Sequence, residues 1–382
     1  MAQVANASSS PQIVPTAGQP FIITDDLKQT IRTLVDNGTN AAMVVGLVDA
    51  NGTQFFGYGK TSNATNATTV NENTLFDLGS ITKTFTTTLL ADMVSHGEVN
   101  LDDPLENYLP VTIKVPAYKG SKITLQDLAT HTSGLPNYPP NLQINRTTSP
   151  DLIPIPNYTE EEFYQSLSNI TLTTAPGSHF QYSDMGMALL GQALSLKAGM
   201  PYEQLVIDRI LDVLGMNSTR ITLSDNPTLL SRLALGHVNG TEIPVTNVSF
   251  AFSTPLAPAG SLRSSASDMV KYLSANIGLI KTSLEEAMQD SHSIRLYTNQ
   301  SAGPDDIYVG LGWFSSTNFG SQIIWHNGEV SGYNSFAGFN PVTQRGVVVL
   351  SNTIPQDIDV AFIALKPDLE LSRSIWSLLI SK

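Results

Sequence analysis

The sequence predicts an α+β fold: an antiparallel sheet with a five-stranded core, flanked by terminal helices, joined to an all-helical domain. Three observations lead there. A two-strand pattern lies near the start of the 382-residue chain, a three-strand pattern lies near its end, and between them the apolar period changes from two to about 3.6 residues. Strands from both ends can complete one sheet with helices against it. The expected organisation is a flexible tail at 1–20, a sheet domain built from 21–97 and 255–382, and a mainly helical domain over 98–254.

Taken in order, Thr24 and two aspartates open a helix carrying Leu27, Ile31, Leu34 and Val35 that stops at Gly38. AAMVVGLVD (41–49), the Asn51-Gly52 turn and TQFFGYG (53–59) read as a hairpin of two largely buried strands. In the middle, Thr159 with Glu162 forms a capping box, and Pro201 opens a helix with Leu205, Ile210 and Leu214 before Gly215. The Pro- and Asn-rich stretch 136–157 reads as a long loop. Near the end, SQIIWHNG (321–328), YNSFAGF (333–339) and RGVVVLSN (345–352) are strand-like, and 367–380 can form a closing helix.

Composition narrows the function. Hydrophobic residues make up 41% of the chain, enough for a large core. The net charge of −13, from 33 acidic and 20 basic residues, argues against nucleic acid and anionic membranes as partners. No apolar run approaches the length that spans a bilayer. Cysteine is absent, which excludes disulfides, thiolate metal sites and cysteine nucleophiles. The six histidines show no zinc-binding spacing, so no metal or other cofactor is expected. Residues 1–20 lack the basic start and apolar stretch of a secretory signal and read as a tail left after a leader was removed. Asn-x-Ser/Thr sequons at Asn6, Asn37, Asn51, Asn63, Asn66, Asn145, Asn157, Asn169, Asn217, Asn239, Asn247 and Asn299 point to an extracytoplasmic or secreted protein and make it a glycoprotein candidate, the alternative being sequons that arise by chance in an Asn- and Thr-rich chain.

The chemistry starts at Gly79-Ser80-Ile81-Thr82-Lys83. Phe85, Leu89, Met93 and Val94 follow at helical spacing, which places Ser80 at a helix N-terminus. Positions three apart share a helix face, so the Lys83 amine can reach the Ser80 hydroxyl. A serine hydroxyl needs a base to become a nucleophile, and a lysine whose pKa is lowered by burial can serve. The helix start supplies free N–H groups and positive potential where an oxyanion would form. Downstream, Tyr182-Ser183-Asp184 opens a second helix, and His326-Asn327-Gly328 ends a late strand.

Ser-x-x-Lys, then Tyr-Ser-x, then His/Lys-x-Gly on a strand resembles the ordered signature of the serine penicillin-recognising enzymes. From residue 21 onward the chain is similar to the class C β-lactamase and D-alanyl-D-alanine carboxypeptidase group. LATHTSGLP (128–136), APGSHFQYSD (175–184), PAGSLRSSASDM (258–269) and VGLGW (309–313) agree with that resemblance. It implies a β-lactamase/transpeptidase-like fold and makes Ser80 the acylated nucleophile, Lys83 its proton acceptor, and Tyr182 the proton shuttle to the leaving group. It also implies an oxyanion hole from the backbone N–H groups of Ser80 and Glu329, with Asp184, His326, Asn327 and Gly328 facing substrate. His326 would supply positive charge to a substrate carboxylate. At an ordinary pKa near 6.5, about a quarter of it is charged at pH 7.

Two positions depart from the β-lactamase pattern. Asp184 stands where the group usually has Asn, and an ionised carboxylate there would hold Lys83 protonated and favour Tyr182 as base. His326-Asn327-Gly328 replaces Lys-Thr-Gly, which resembles the peptidase and esterase branches. The resemblance therefore implies a small-molecule substrate, with β-lactam hydrolysis first and a D-alanyl-D-alanine carboxypeptidase or promiscuous carboxylesterase as the alternative. A non-catalytic penicillin-binding sensor is a third reading, and the oligomeric state stays open. His131 in THTSG reads as a packed loop histidine, and Trp313 and Trp325 as core or cleft wall.

Overall fold

The computed structural model describes residues 21–142, 158–238, 240–243, 255–302, 305–316, 322–330 and 332–354. The tail, most of the 136–157 loop and the closing helix expected at 367–380 lie outside the described residues.

The strands Ala42–Asp49 and Gly52–Gly59 form the expected hairpin. Strands Ile323–Val330, Tyr333–Asn340 and Arg345–Ser351 form the late meander, and Arg345–Ser351 pairs antiparallel with Ala42–Asp49. These five are contiguous. The sheet continues beyond Ile323–Val330 through three strands the sequence did not announce, Phe314–Ser316, Asp305–Val309 and Leu296–Ala302, making eight among the described residues. Phe314–Ser316 and Asp305–Val309 span only three and five residues, and the seven-residue edge strand LYTNQSA is polar, so neither alternation nor a continuous apolar run marks them.

Both faces of the sheet are covered, which explains the unbroken apolar run in AMVVGLVD. On one side Met43, Val45 and Leu47 pack with Leu27 and Ile31 of the helix Asp25–Asp36, whose Thr24 side chain accepts the Leu27 N–H. On the other, Val44, Val348 and Leu350 meet Met269, Val270 and Leu273 of the helix Ala266–Ile277. The helical part contains Glu160–Asn169, opened by the Thr159/Glu162 capping box, and Asp184–Ala198, capped by Ser183 and closed by Gly199.

A small antiparallel pair, Leu75–Asp77 with Arg263–Ser265, fixes the segment that precedes Ser80. The fully buried Arg263 pairs with Asp77 and donates to the Ile221 carbonyl at 3.0 Å. Leu78 N–H donates to the Leu262 carbonyl at 2.8 Å. Leu78 and Gly79 then meet the end of Ile323–Val330 backbone to backbone. Gly79 adopts φ 51°, and a Cβ there would press on the Glu329 backbone; a Cβ on Gly328 would overlap the Leu78 carbonyl oxygen and the Ser335 hydroxyl. Glycine is required at both positions by this close approach.

Gly328→Ala is therefore expected to push the strand away from Ser80, costing about 1–3 kcal/mol of stability. Urea unfolding measures the loss, and an unchanged midpoint with unchanged acylation would show that the two segments separate without cost.

Candidate active site

Ser80 lies in a single tight turn, Gly79–Ile81, that leads into the helix Thr82–Ser95. Lys83 follows in the first helical turn and its side chain is wholly buried. Its Nζ lies 2.8 Å from Ser80 Oγ, 2.7 Å from the Ala259 carbonyl oxygen and 2.6 Å from Asp184 Oδ1. An ammonium at this point has hydrogen-bond acceptors in Ser80 Oγ and the Ala259 carbonyl and an ion-pair partner in Asp184. Burial holds the Lys83 pKa below the ordinary lysine range, while the Asp184 carboxylate opposes that shift.

Tyr182 completes the group. Its ring centroid is 4.9 Å from Lys83 Nζ and its phenol is hydrogen-bonded to Ser80. Burial and the Asp184 charge push the phenol well above its ordinary pKa, against the Ser80 hydrogen bond. Tyr182 is therefore a neutral phenol at pH 7. Burial and the Asp184 carboxylate thus act in opposite directions on Lys83, whereas both disfavour a phenolate at Tyr182.

The loop 131–138 holds Asp184 in place. Asp184 N–H donates to Asn137 Oδ1 at 3.0 Å, Met185 N–H to the Asn137 carbonyl at 2.8 Å, and Ser183 Oγ–H to the Pro136 carbonyl at 2.7 Å. The Tyr138 hydroxyl is also hydrogen-bonded to Asp184, and the two raise the Tyr138 pKa together with burial. His131 is packed, as the sequence suggests, but against the site: its ring stacks on Tyr182 at 4.4 Å and its Nδ1 accepts the Ser183 N–H at 3.1 Å.

The strand Ile323–Val330 forms the opposite wall. Asn327 and Glu329 line a cleft of about 580 Å³ together with Ser80, Tyr182 and Asp184. Gly328 makes the close contact with Leu78 described above. His326 does not line the cleft. It is 1% exposed, donates Nδ1–H to the Asn327 carbonyl at 2.6 Å, and packs on Phe314 at 5.1 Å between ring centroids. Burial, assisted by the Lys83 charge, lowers its pKa to about 3. The partly charged imidazole expected from the ordinary histidine pKa is thus a neutral one, because the surrounding segments exclude the water that would solvate its cation.

A hydroxyl, a buried amine and a phenol in mutual contact on a cleft wall define a site of the serine acyl-transfer type. The family profile described as Beta-lactamase matches residues 27–364. The D-alanyl-D-alanine-carboxypeptidase/endopeptidase AmpH of Escherichia coli (strain K12) is 30% identical over 327 residues, covering 83% of this chain and 80% of that protein. A Beta-lactamase of the same strain is 27% identical over 368 residues, covering 88% and 90%. The octameric penicillin-binding protein homologue from Pyrococcus abyssi superposes with a TM-score of 0.76 at 25% identity, covering 89% of this chain and 76% of that one. The chain belongs to the beta-lactamase family, and it is a serine hydrolase on that family's fold.

Sequence reasoning did not reach the Ala259 carbonyl or Tyr138. A backbone carbonyl carries no residue signature, and a tyrosine in a Pro-rich loop resembles any loop aromatic.

Because Asp184 favours the charged form of Lys83, Asp184→Asn should move the limb of the pH–acylation profile that reports Lys83 deprotonation to lower pH, on the order of one unit. Tyr138→Phe removes a hydrogen bond from the carboxylate and should move the same limb upward. Stopped-flow acylation across pH checks both directions, and identical limbs in all three proteins would uncouple Asp184 from the proton transfer.

Proposed function

We propose that the chain hydrolyses an amide or ester through a Ser80 acyl-enzyme, with β-lactams as acylating substrates. The contact of Ser80 Oγ with the buried Lys83 Nζ at 2.8 Å carries this reading. Neutral Lys83 takes the Ser80 proton as Oγ bonds to the substrate carbonyl carbon. In this reading the tetrahedral oxyanion is held by the backbone N–H groups of Ser80 and Glu329, and the close approach of Gly79 to the Glu329 backbone supports it. Tyr182 passes its proton to the departing amine or alkoxide as the carbonyl–heteroatom bond breaks, and protonated Lys83 restores it. Water then attacks the acyl carbon, giving its proton back through the same groups, and Ser80 is released.

A D-alanyl-D-alanine carboxypeptidase or carboxylesterase uses the same steps. The AmpH relative favours this second reading, as does the His326-Asn327-Gly328 sequence. Intact-mass spectrometry after adding a penicillin should show one covalent adduct that disappears in Ser80→Ala. Fast loss of the adduct with product release supports the β-lactamase reading, and a lasting one supports the peptidase or esterase. Tyr182→Phe should slow acylation about a hundred- to ten-thousand-fold. An adduct that survives Ser80→Ala would overturn the assignment.

An extracytoplasmic, glycosylated state is part of this reading. The sequence holds twelve sequons where its content of Asn, Ser and Thr gives about five by chance. Asn37, Asn51, Asn63, Asn66, Asn169, Asn217 and Asn299 are all exposed, while the buried Asn40, Asn276, Asn334, Asn340 and Asn352 belong to no sequon. The other five sequons lie outside the described residues. No helix among the described residues is long and apolar enough to cross a membrane. Peptide mapping of protein from its native source, after enzymatic glycan release in heavy-oxygen water, should mark these exposed asparagines; unmarked peptides throughout would remove this support.

A further inference from the structure

His131 is a buried side chain for which the acyl-transfer scheme has no step. It is 1% exposed and follows the short helix Leu125–Ala129, with its backbone in the left-handed region at φ 57°. A left-handed residue just after a helix is ordinarily glycine or asparagine, which reach that conformation with the least strain. If the turn alone mattered, either would serve. An imidazole here has a further reason, and its contacts supply one.

Those contacts converge on Tyr182. The His131 carbonyl accepts the Gln181 N–H at 2.7 Å, and its Nδ1 accepts the Ser183 N–H at 3.1 Å, so the amides on either side of the tyrosine are bound to one residue. Between them the imidazole stacks on the phenol ring, 4.4 Å between centroids, and Phe180 meets the imidazole edge-on at 5.9 Å. Burial, and after it the Lys83 charge, holds the His131 pKa well below the ordinary value, so the ring is neutral and Nδ1 is free to accept. The proton is then on Nε2, which is buried and has no hydrogen-bond partner among the described residues. The ring thus acts through its shape and its one acceptor, not by passing protons.

Tyr182 needs such support. The helix Asp184–Ala198 starts two residues after it, with Ser183 as N-cap, so the tyrosine stands on irregular backbone. A proton donor displaced by about 1 Å can lose a hundredfold in rate.

We propose that His131 is a positioning residue that clasps residues 181–183 and fixes the Tyr182 phenol beside Ser80, where it delivers its proton to the leaving group. The proposal rests on the reading of Tyr182 as the relay in the Ser80 acyl-enzyme scheme. Its consequence is selective. Nitrophenolate departs without a proton, whereas an alkoxide takes one up as the carbon–oxygen bond breaks, so loss of the clasp penalises alkyl esters more than nitrophenyl esters.

The test compares kcat/KM for nitrophenyl butyrate and trifluoroethyl butyrate in the parent protein, His131→Gly, His131→Asn and Tyr182→Phe. His131→Gly keeps the turn but loses ring and acceptor; His131→Asn keeps the turn and an acceptor but loses the stack. In His131→Gly the trifluoroethyl ester should fall at least about tenfold further than the nitrophenyl ester, with His131→Asn in between. A packing defect alone would lower both esters alike. His131→Asn keeps the test available if the glycine variant folds poorly. Equal falls on the two esters in the His131 variants, while Tyr182→Phe shifts their ratio, overturn the positioning role and leave the relay standing. A ratio that Tyr182→Phe does not move sinks the relay and the positioning role together.

Discussion

The amine of Lys83 is cut off from water, and that constraint organises the middle of the molecule. Burying an ammonium costs several kcal/mol unless its hydrogens find acceptors nearby. The three partners come from separate places: Ser80 from the preceding turn, the Ala259 carbonyl from a segment far along the chain, and Asp184 from the start of another helix. Each must arrive within hydrogen-bond distance. The buried Arg263–Asp77 pair, the Leu78–Leu262 hydrogen bond and the loop that clasps Asp184 are the features that deliver them. Structure and chemistry meet here, because the burial that demands these partners also weakens the hold of Lys83 on its proton.

One environment moves the two basic candidates apart. Desolvation favours neutral amine at Lys83 and neutral phenol at Tyr182, so the amine is drawn toward accepting a proton and the phenol toward keeping one. Asp184 acts on both in the same sense, favouring their protonated forms. This division supports a scheme in which Lys83 opens the reaction and Tyr182 relays. It also gives a physical reason why the carboxylate is tolerable: its pull on Lys83 is shared with Tyr138, whose hydroxyl it also holds.

Ser80 and Lys83 were legible because their relation is local; helical spacing alone puts one side chain against the other. The hairpin 41–59 and the late meander were legible for the same reason, since their apolar runs and turn residues lie within a few residues of each other. Tyr182, Asp184 and the 326–329 strand could be placed only through the order of motifs, which names partners without giving their exposure. The fate of His326 shows the limit. Its pKa depends on Phe314 and on Lys83, which reach it from other parts of the fold, and no window of sequence around HNG contains them. The three extra strands escaped because two of them, inside the sheet, span only three and five residues and the seven-residue edge strand is polar, so each leaves little period to read.

The site therefore separates two properties that a motif reading joins. Lys83 lies 2.8 Å from the Ser80 hydroxyl with the Tyr182 ring beside it, whereas the histidine expected to attract a carboxylate is buried against Phe314 and the Asn327 carbonyl. Catalytic machinery depends on a few contacts inside a packed interior, which tolerate little change. Recognition depends on which side chains reach the cleft surface, and from the strand Ile323–Val330 these include Trp325, Asn327 and Glu329 but not His326. A contact as local as that of Ser80 with Lys83 can thus follow from a motif, while the exposure of a motif residue such as His326 follows from segments that the motif does not contain.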